Sequence, residues 1–118
     1  MRLETRVCLE DLLRACELIE RAVYKLTVEQ FLEQWEKQSA VERQFIIVGE
    51  TLIRIQRFEP NVLDLIPDAR GIIGFRNILV HGYDVADPEA VYELAGQSVR
   101  ELIAVVSELL NQSSLAFS

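Results

Sequence analysis

The chain has 118 residues, 50% of them hydrophobic and 26% charged, a length that suits one domain rather than two separate cores. Five glycines and three prolines are few for a turn-rich β-sandwich. Twelve Lys and Arg against nineteen Asp and Glu give a net charge of −7. A nucleic-acid ligand would therefore need a local basic patch, a second subunit or a partner.

The amino-terminal segment and the two cysteines indicate a cytoplasmic protein. The first residues, MRLETRVCLEDLL, include acidic side chains and no long apolar run, so we expect no signal peptide. No stretch approaches the ~18 apolar residues of a membrane span. Cys8 and Cys16 are too far apart along one predicted helix for an easy disulfide. We expect both to be buried thiols in a reducing compartment.

The first predicted helix is amphipathic and runs from Leu3 to Tyr24, because apolar residues recur there at steps of three and four. Thr27 and Gln30 have the spacing of a capping box, in which both side chains accept hydrogen bonds from exposed backbone N–H groups. This pair predicts the start of a short second helix that ends near residue 37.

The third and fourth predicted helices carry a large share of the remaining apolar residues. Ser39 and Glu42 form a second capping-box pattern, at the head of a helix over about residues 40–58. Residues 62–67 form a connector with room for one helical turn. The fourth helix, about Asp68 to His81, is apolar on most sides, so we expect it to be buried centrally or at a subunit contact.

The last predicted helix begins at Asp87 and Pro88, an N-cap followed by a first-turn proline, after Gly82 has ended the fourth helix. It runs without a break to about Asn111, and a frayed tail follows. The sequence contains no linker or internal repeat. The predicted fold is a single all-α domain over residues 1–118, an antiparallel bundle of four main helices with one short extra helix.

The residues able to carry chemistry gather between Arg76 and Tyr83. His81 is the only histidine, and its side chain exchanges protons near neutral pH without a large pKa shift. Arg76 is a permanent cation with a forked array of donors. Tyr83 adds a donor with an aromatic face. One histidine and no cysteine pair at ligand spacing argue against zinc, so we expect no metal and no other cofactor.

The positions of these residues on a helix can be worked out at ~100° per residue. Asn77 and His81 share a face, so Asn77 could fix the orientation of the imidazole. Arg76 lies about 140° from His81, so the two meet only if Arg76 curls around the helix end or if two copies face each other across a groove.

An arginine, a histidine and a tyrosine at the end of a buried helix suit phosphate chemistry that needs no metal. Arg76 would neutralise a pentavalent phosphorane, and His81 would move the proton of an attacking 2′-hydroxyl or a leaving 5′-oxygen. A purely structural interpretation stays open from the pattern alone. A histidine near a helix C-terminus stabilises the helix dipole, and Tyr83 could close the end of the bundle.

Charged residues of the third helix allow two interpretations each. Glu50 is either a solvated residue or a buried partner for an arginine, and we favour the partner. Arg43, Arg54 and Arg57 either broaden a positive groove or form surface ion pairs with nearby glutamates.

The segment from Arg76 to His81, an arginine, four residues and a histidine, resembles the mark of the HEPN superfamily. Tyr83, two residues further on, resembles the HepT toxins within that superfamily. The similarity covers about residues 3–110 and includes Phe31-Leu32, Ala40-Val41-Glu42-Arg43, Ile47-Val48-Gly49-Glu50, Ile66-Pro67, Ile72 to His81 and Asp87 to Tyr92.

The resemblance implies an all-α homodimer whose two Arg–His motifs line a shared cleft, and a metal-independent endoribonuclease that acts as a toxin. It implies that Arg76 binds or polarises the scissile phosphate and that His81 is the general acid or base. Asn77 would be a substrate-binding or orienting residue. Tyr83 would contact RNA. The implied partner is a MntA-like nucleotidyltransferase antitoxin, which would neutralise the toxin by adding AMP to Tyr83.

A competing interpretation is a non-catalytic helical dimer, an adaptor that docks a nucleotidyltransferase partner. A net charge of −7 fits the adaptor more easily than it fits an RNA-binding protein. The joint presence of Arg76, His81 and Tyr83 fits the enzyme, because an adaptor need not keep that trio. We therefore expect the ribonuclease.

Overall fold

The computed structural model describes the backbone of residues 1–82 and 86–116 and the side chains of residues 1–82 and 86–113. Every regular element in these ranges is a helix, which confirms the predicted all-α class. In chain order the helices are α1 (Leu3–Val23), α2 (Val28–Glu33), α3 (Trp35–Phe58), α4 (Pro60–Leu63), α5 (Ala69–His81), α6 (Pro88–Gly96) and α7 (Ser98–Ala116).

The first helix and the capping box form as predicted, but α2 ends at Glu33 rather than near residue 37. α1 ends within one residue of its predicted boundary and buries Leu9, Leu12 and Ile19 in the core. The capping box of α2 is present: the Thr27 hydroxyl accepts from the Gln30 N–H at 3.1 Å, and the Gln30 side-chain oxygen accepts from the Thr27 N–H at 2.9 Å.

The start of α3 differs from the prediction. The helix begins at Trp35, so the predicted cap at Ser39 is wrong and Ser39 lies inside the helix. Gln34 leaves helical geometry for one residue, with φ −115° and ψ 84°. The amide of Gln38 then donates to the carbonyl of Phe31 at 2.9 Å. Because α3 satisfies a terminal carbonyl of α2 in this way, the chain re-enters a helix at once.

The predicted last helix is two helices, separated at Gln97. Gly96, directly before the break, weakens a helix because it has no side chain to restrict the unfolded backbone. Backbone hydrogen bonds of 3.0 and 3.3 Å at Gln97 bridge the break, so the interruption lasts one residue. α7 also continues to Ala116, past the predicted end at Asn111, so the expected frayed tail is wrong over that stretch.

The connectors account for the remaining differences. α4 occupies the start of the segment after α3, so the fold has two short helices, α2 and α4, where one was predicted. Asp68 precedes α5 in the left-handed region, at φ 53°. Gly82 ends α5 as predicted, and its N–H donates to the Ile78 carbonyl at 2.7 Å. Asp87 caps α6 as predicted, by accepting from the Glu89 N–H at 3.1 Å.

Packing places α3 at the centre of the bundle. α1 lies on one side of α3 and α5 on the other, α7 packs on α1, and α6 contacts α1, α2, α3 and α7. The start of α1 meets the end of α3, where Glu59 accepts from the Arg2 N–H at 2.7 Å and from the Thr5 hydroxyl at 2.8 Å. The bond from the Arg2 backbone lowers the pKa of Glu59. α1 and α3 are therefore antiparallel.

Side-chain contacts also show the directions of α7 and α5. Arg6, near the start of α1, donates to the Ser113 hydroxyl at 3.0 Å, so α7 runs antiparallel to α1. α5 follows the end of α3 after a short connector and returns along it, with Phe75 edge-on to Phe45 at a centroid distance of 5.4 Å. The ends of α1 and α5 and the starts of α3 and α7 thus share one end of the bundle.

α5 is an outer helix of the described chain. It packs mainly on α3 and buries Ala69, Ile72 and Leu79, whereas Ile78 and Val80 are 48% and 39% exposed. The expectation that α5 is buried centrally is therefore wrong within one chain. Its alternative, burial at a subunit contact, stays a prediction.

Both cysteines are buried free thiols, as expected. Burial, with Glu17 and Glu20 nearby, raises the pKa of Cys16 to about 12, so the thiol stays protonated near neutral pH. Among the described helices, none has both the length and the apolar character that crossing a membrane requires.

Candidate active site

The candidate residues lie on the last two turns of α5. Gly82 stops the helix directly after His81, as the sequence predicts. Tyr83 lies outside the described residues. The described part of the site therefore comprises Arg76, Asn77 and His81 on α5, together with the surface of α3 beside them.

Arg76 packs against a glycine of α3. Its Cβ and Cγ occupy the space that a side chain at position 49 would need, and a Cβ built on Gly49 would lie 2.6 Å from the Arg76 Cγ. Gly49 is buried. The missing side chain at this position lets α5 approach α3 closely enough for the arginine stem to lie between the two helices.

The Arg76 guanidinium is fixed by two oxygen atoms. Nη1 donates to the Asn77 side-chain oxygen at 3.0 Å, and Nη2 donates to a Glu50 carboxylate oxygen at 3.4 Å. The Arg76 side chain is 21% exposed, and its buried Nε has no hydrogen-bond partner. A buried donor without an acceptor costs ~1–3 kcal/mol.

Glu50 is a partner for an arginine, as we favoured from the sequence, but it is not buried. Its side chain is 47% exposed. At 3.4 Å, with solvent at the carboxylate, the pair with Arg76 is weak enough for a more strongly bound anion to replace it. The pair orients the guanidinium without fully neutralising it.

His81 is exposed and makes no hydrogen bond or ion pair with this cluster. Among the described residues it has no hydrogen-bond or ion-pair partner, and the Asn77 oxygen is engaged by Arg76 instead. The structure therefore brings together Arg76, Asn77 and Glu50, while His81 stands apart, as the ~140° separation along a helix requires.

A family model described as "Ribonuclease HepT-like" matches residues 12–109, from the middle of α1 almost to the end of the bundle. The chain belongs to the HepT-like ribonuclease family. No solved structure matches it. Family membership makes the protein an RNA endonuclease of the HEPN toxin type and favours the enzyme over the adaptor.

Two further α3 residues contribute to the electrostatics of this HepT-like ribonuclease. Glu42 lies seven residues before Gly49 and so on the same face of α3. It is half-buried, and burial raises its pKa. Arg43 is exposed and has no ion-pair partner in the described part of the chain.

The other α3 arginines do not gather around Arg76. Arg54 reaches Asp11 on α1 at 3.9 Å, so it points to the opposite neighbour of α3 and pairs with none of the expected glutamates. Arg57 is exposed near the far end of α3. Of the two interpretations, Arg54 and Arg57 do not form a broad positive groove with Arg76 within one chain, and the one ion pair they make is between Arg54 and Asp11 among the described residues.

Sequence reasoning missed the role of Gly49 in the HepT-like ribonuclease. Its signal was present, because a glycine inside a long helix costs ~1 kcal/mol relative to alanine and so indicates a close contact. What the sequence lacked was the identity of the residue that makes the contact.

No group of three or more His, Cys, Asp or Glu side chains suited to a metal occurs within the described ranges.

Proposed function

We propose that this HepT-like ribonuclease cleaves RNA without a metal, with Arg76 and His81 as its catalytic residues and Asn77 and Tyr83 as substrate-binding residues. The observation that carries the proposal is the positioned guanidinium of Arg76, held by Asn77 at 3.0 Å and by the exposed Glu50 carboxylate at 3.4 Å. A phosphate can replace the weak carboxylate contact, through the bidentate contacts that arginine makes with phosphate.

The proposed reaction balances with the residues at hand. A base removes the proton of the 2′-hydroxyl, the 2′-oxygen forms a bond to phosphorus, and the bond from phosphorus to the 5′-oxygen breaks. An acid returns a proton to that 5′-oxygen, leaving a 2′,3′-cyclic phosphate and a 5′-hydroxyl. Arg76 stabilises the extra negative charge of the phosphorane, and His81 serves as the acid or the base.

A homodimer completes this site. Within one helix Arg76 and His81 point about 140° apart, so a second copy is the simplest source of a histidine facing the bound phosphate. Ile78 is 48% exposed and lies on the outward face of α5, about 60° around the helix from His81. Burying it against a second α5 would place both His81 side chains at one groove, where one could act as base and the other as acid.

Cleavage of total cellular RNA in EDTA tests the proposed chemistry. Wild-type protein should cleave, and the His81→Ala variant should not, because it has no group to transfer protons near neutral pH. His81 is exposed and alanine is a good helix former, so the variant should keep the helical circular dichroism of the wild type. Equal cleavage by the two proteins would contradict the proposal.

The proposed dimer predicts a solution mass of about twice the 13.5 kDa of one chain, measured by light scattering. Ile78→Glu should shift the mass toward one chain, because it places a charge in the apolar contact. Leu18→Glu is the matched control, since Leu18 is similarly exposed at 40% but lies on α1. A wild-type monomer at all concentrations would exclude the shared groove.

We also propose that a MntA-like nucleotidyltransferase antitoxin regulates the protein in the cytoplasm by AMP transfer to Tyr83. The Tyr83 hydroxyl oxygen would attack the α-phosphorus of ATP, lose its proton and release pyrophosphate. The new phosphodiester would add negative charge two residues from His81. It would compete with RNA for Arg76 and repel the substrate backbone.

Intact-mass analysis after co-expression with the nucleotidyltransferase checks this regulation. The expected increment is ~329 Da, mapped to Tyr83 and absent from Tyr83→Phe. Tyr24→Phe is a suitable control, because Tyr24 is 70% exposed and should not compete for the modification. Inhibition by the partner without any adduct would mean that it acts by docking alone.

A further inference from the structure

A groove lies at the end of the bundle where α1 ends and α7 begins. Its volume is about 980 Å³, and it is walled by the last turn of α1, by α6 and by the first turn of α7. Arg21, Tyr24, Lys25, Tyr92 and Arg100 are among its lining residues. Of the proposed catalytic site, the described residues Arg76, Asn77 and His81 do not line this groove.

Three of the cationic side chains that line the groove form no ion pair with any described carboxylate. In the described residues, Arg21, Lys25 and Arg100 have no ion-pair partner, whereas Arg2, Arg14 and Arg54 each contact a carboxylate. Two carboxylates, those of Glu20 and Glu93, also line the groove, so its formal charge is weakly positive. On a chain with a net charge of −7, this small excess of positive charge can attract a polyanion.

The groove also offers an aromatic surface. Tyr24 is 70% exposed at the end of α1, and the Lys25 ammonium lies 5.4 Å from the centroid of its ring. Lys25 has a φ of 57°, a backbone conformation more often occupied by glycine. The opposite wall is rigid, because the Tyr92 hydroxyl donates to the Leu26 carbonyl at 2.6 Å and its ring packs on Phe31.

The helix directions place this groove at the same end of the bundle as His81. α1 ends there, α3 and α7 begin there, and α5 returns along α3 to end there. To reach the groove, a strand of RNA whose scissile phosphate lies at the end of α5 would cross this end of the bundle past α3, since α1 and α5 lie on opposite sides of α3. Exposed tyrosine beside unpaired cations is the combination that binds single-stranded nucleic acid, by base stacking and phosphate contacts.

We propose that this groove binds a single-stranded segment of the RNA substrate outside the cleavage site, with Tyr24 stacking on a base and with Arg21, Lys25 and Arg100 contacting phosphates. The inference rests on the proposed RNA cleavage and extends it, since it assigns the substrate class as RNA that is unpaired beside the scissile bond. Duplex RNA hides its base faces and would lose the contact with Tyr24.

Fluorescence anisotropy with a labelled single-stranded oligoribonucleotide tests the groove. All variants carry His81→Ala, so that binding is measured without cleavage. Arg21→Ala with Arg100→Ala should raise Kd at least about 10-fold and reduce the slope of log K against log salt by about 1.4. Tyr24→Ala should raise Kd on the order of 10-fold, and Tyr24→Phe should retain binding because it keeps the aromatic face.

A second double variant, with the same change in net charge, distinguishes binding in the groove from a general effect of net charge. Arg14→Ala with Arg57→Ala removes two exposed cations that do not line the groove and should change Kd by less than about 3-fold. Equal effects of the two double variants, or wild-type Kd in the groove variants, would overturn the inference. Failure of His81-dependent cleavage in EDTA would instead overturn the proposed function, and that assay is independent of these Kd values.

Discussion

Replacing Arg76 with alanine should slow RNA cleavage about 10²–10³-fold, corresponding to ~2.7–4 kcal/mol of transition-state stabilisation from one well-placed donor group. The arginine is positioned in advance by Glu50 and Asn77, so it pays no reorganisation cost when charge develops on the phosphate. Loss of the ion pair should change stability little, because Glu50 is 47% exposed and water can solvate it. Loss of the arginine stem packed on Gly49 should lower stability.

Lysine at position 76 should not restore the rate. An ammonium is a point charge without the planar fork, so it cannot contact Glu50, Asn77 and a phosphate oxygen in one fixed orientation. The measurement is single-turnover cleavage of a defined RNA by wild type, Arg76→Ala and Arg76→Lys. Arg70→Ala is the matched control, because it removes an exposed arginine from the same helix. A rate in Arg76→Ala close to that of Arg70→Ala would exclude a catalytic role.

The sequence predicted the helices best where a long apolar stripe determines them. α1 and α5 lie close to their predicted bounds because the periodicity of apolar residues is a local property. The predicted start of α3 was wrong. Ser39 has a capping pattern, but the Gln38 side chain stabilises an earlier start through a contact with α2. A contact between neighbouring helices outweighed a local preference of about 1 kcal/mol.

In the candidate site, too, local features were predicted and contacts between helices were not. Residue chemistry singled out Arg76 and His81, and helix geometry gave their separation, without knowledge of any packing. The partners on α3 were harder to predict, because the pairing of Gly49 and Glu50 with Arg76 depends on how two helices 26 or more positions apart align. A glutamate inside an apolar run suggested a partner, but only the packing of α5 on α3 shows which arginine it contacts.

Gly49→Ala should therefore impair cleavage without replacing a catalytic residue. The added Cβ would overlap the Arg76 Cβ and Cγ, atoms too close to the backbone to move aside by a rotation at the end of the side chain. α5 would have to shift, and a misplacement of about 1 Å can cost about 10²-fold in rate. Overpacking costs ~1–3 kcal/mol, offset in part by the ~1 kcal/mol that alanine gains over glycine in a helix.

Gly74→Ala separates the effect of overpacking from the effect of helix propensity. Gly74 lies on the same helix as Arg76, and a Cβ there meets no atom within 4 Å. It should gain up to ~1 kcal/mol in helix propensity, raise Tm and leave the cleavage rate unchanged. Gly49→Ala should lower the rate and fail to raise Tm, with cleavage and thermal unfolding measured on both variants. If Gly49→Ala instead behaved like Gly74→Ala in both assays, the close packing of α3 on Arg76 would not be what positions the guanidinium for catalysis.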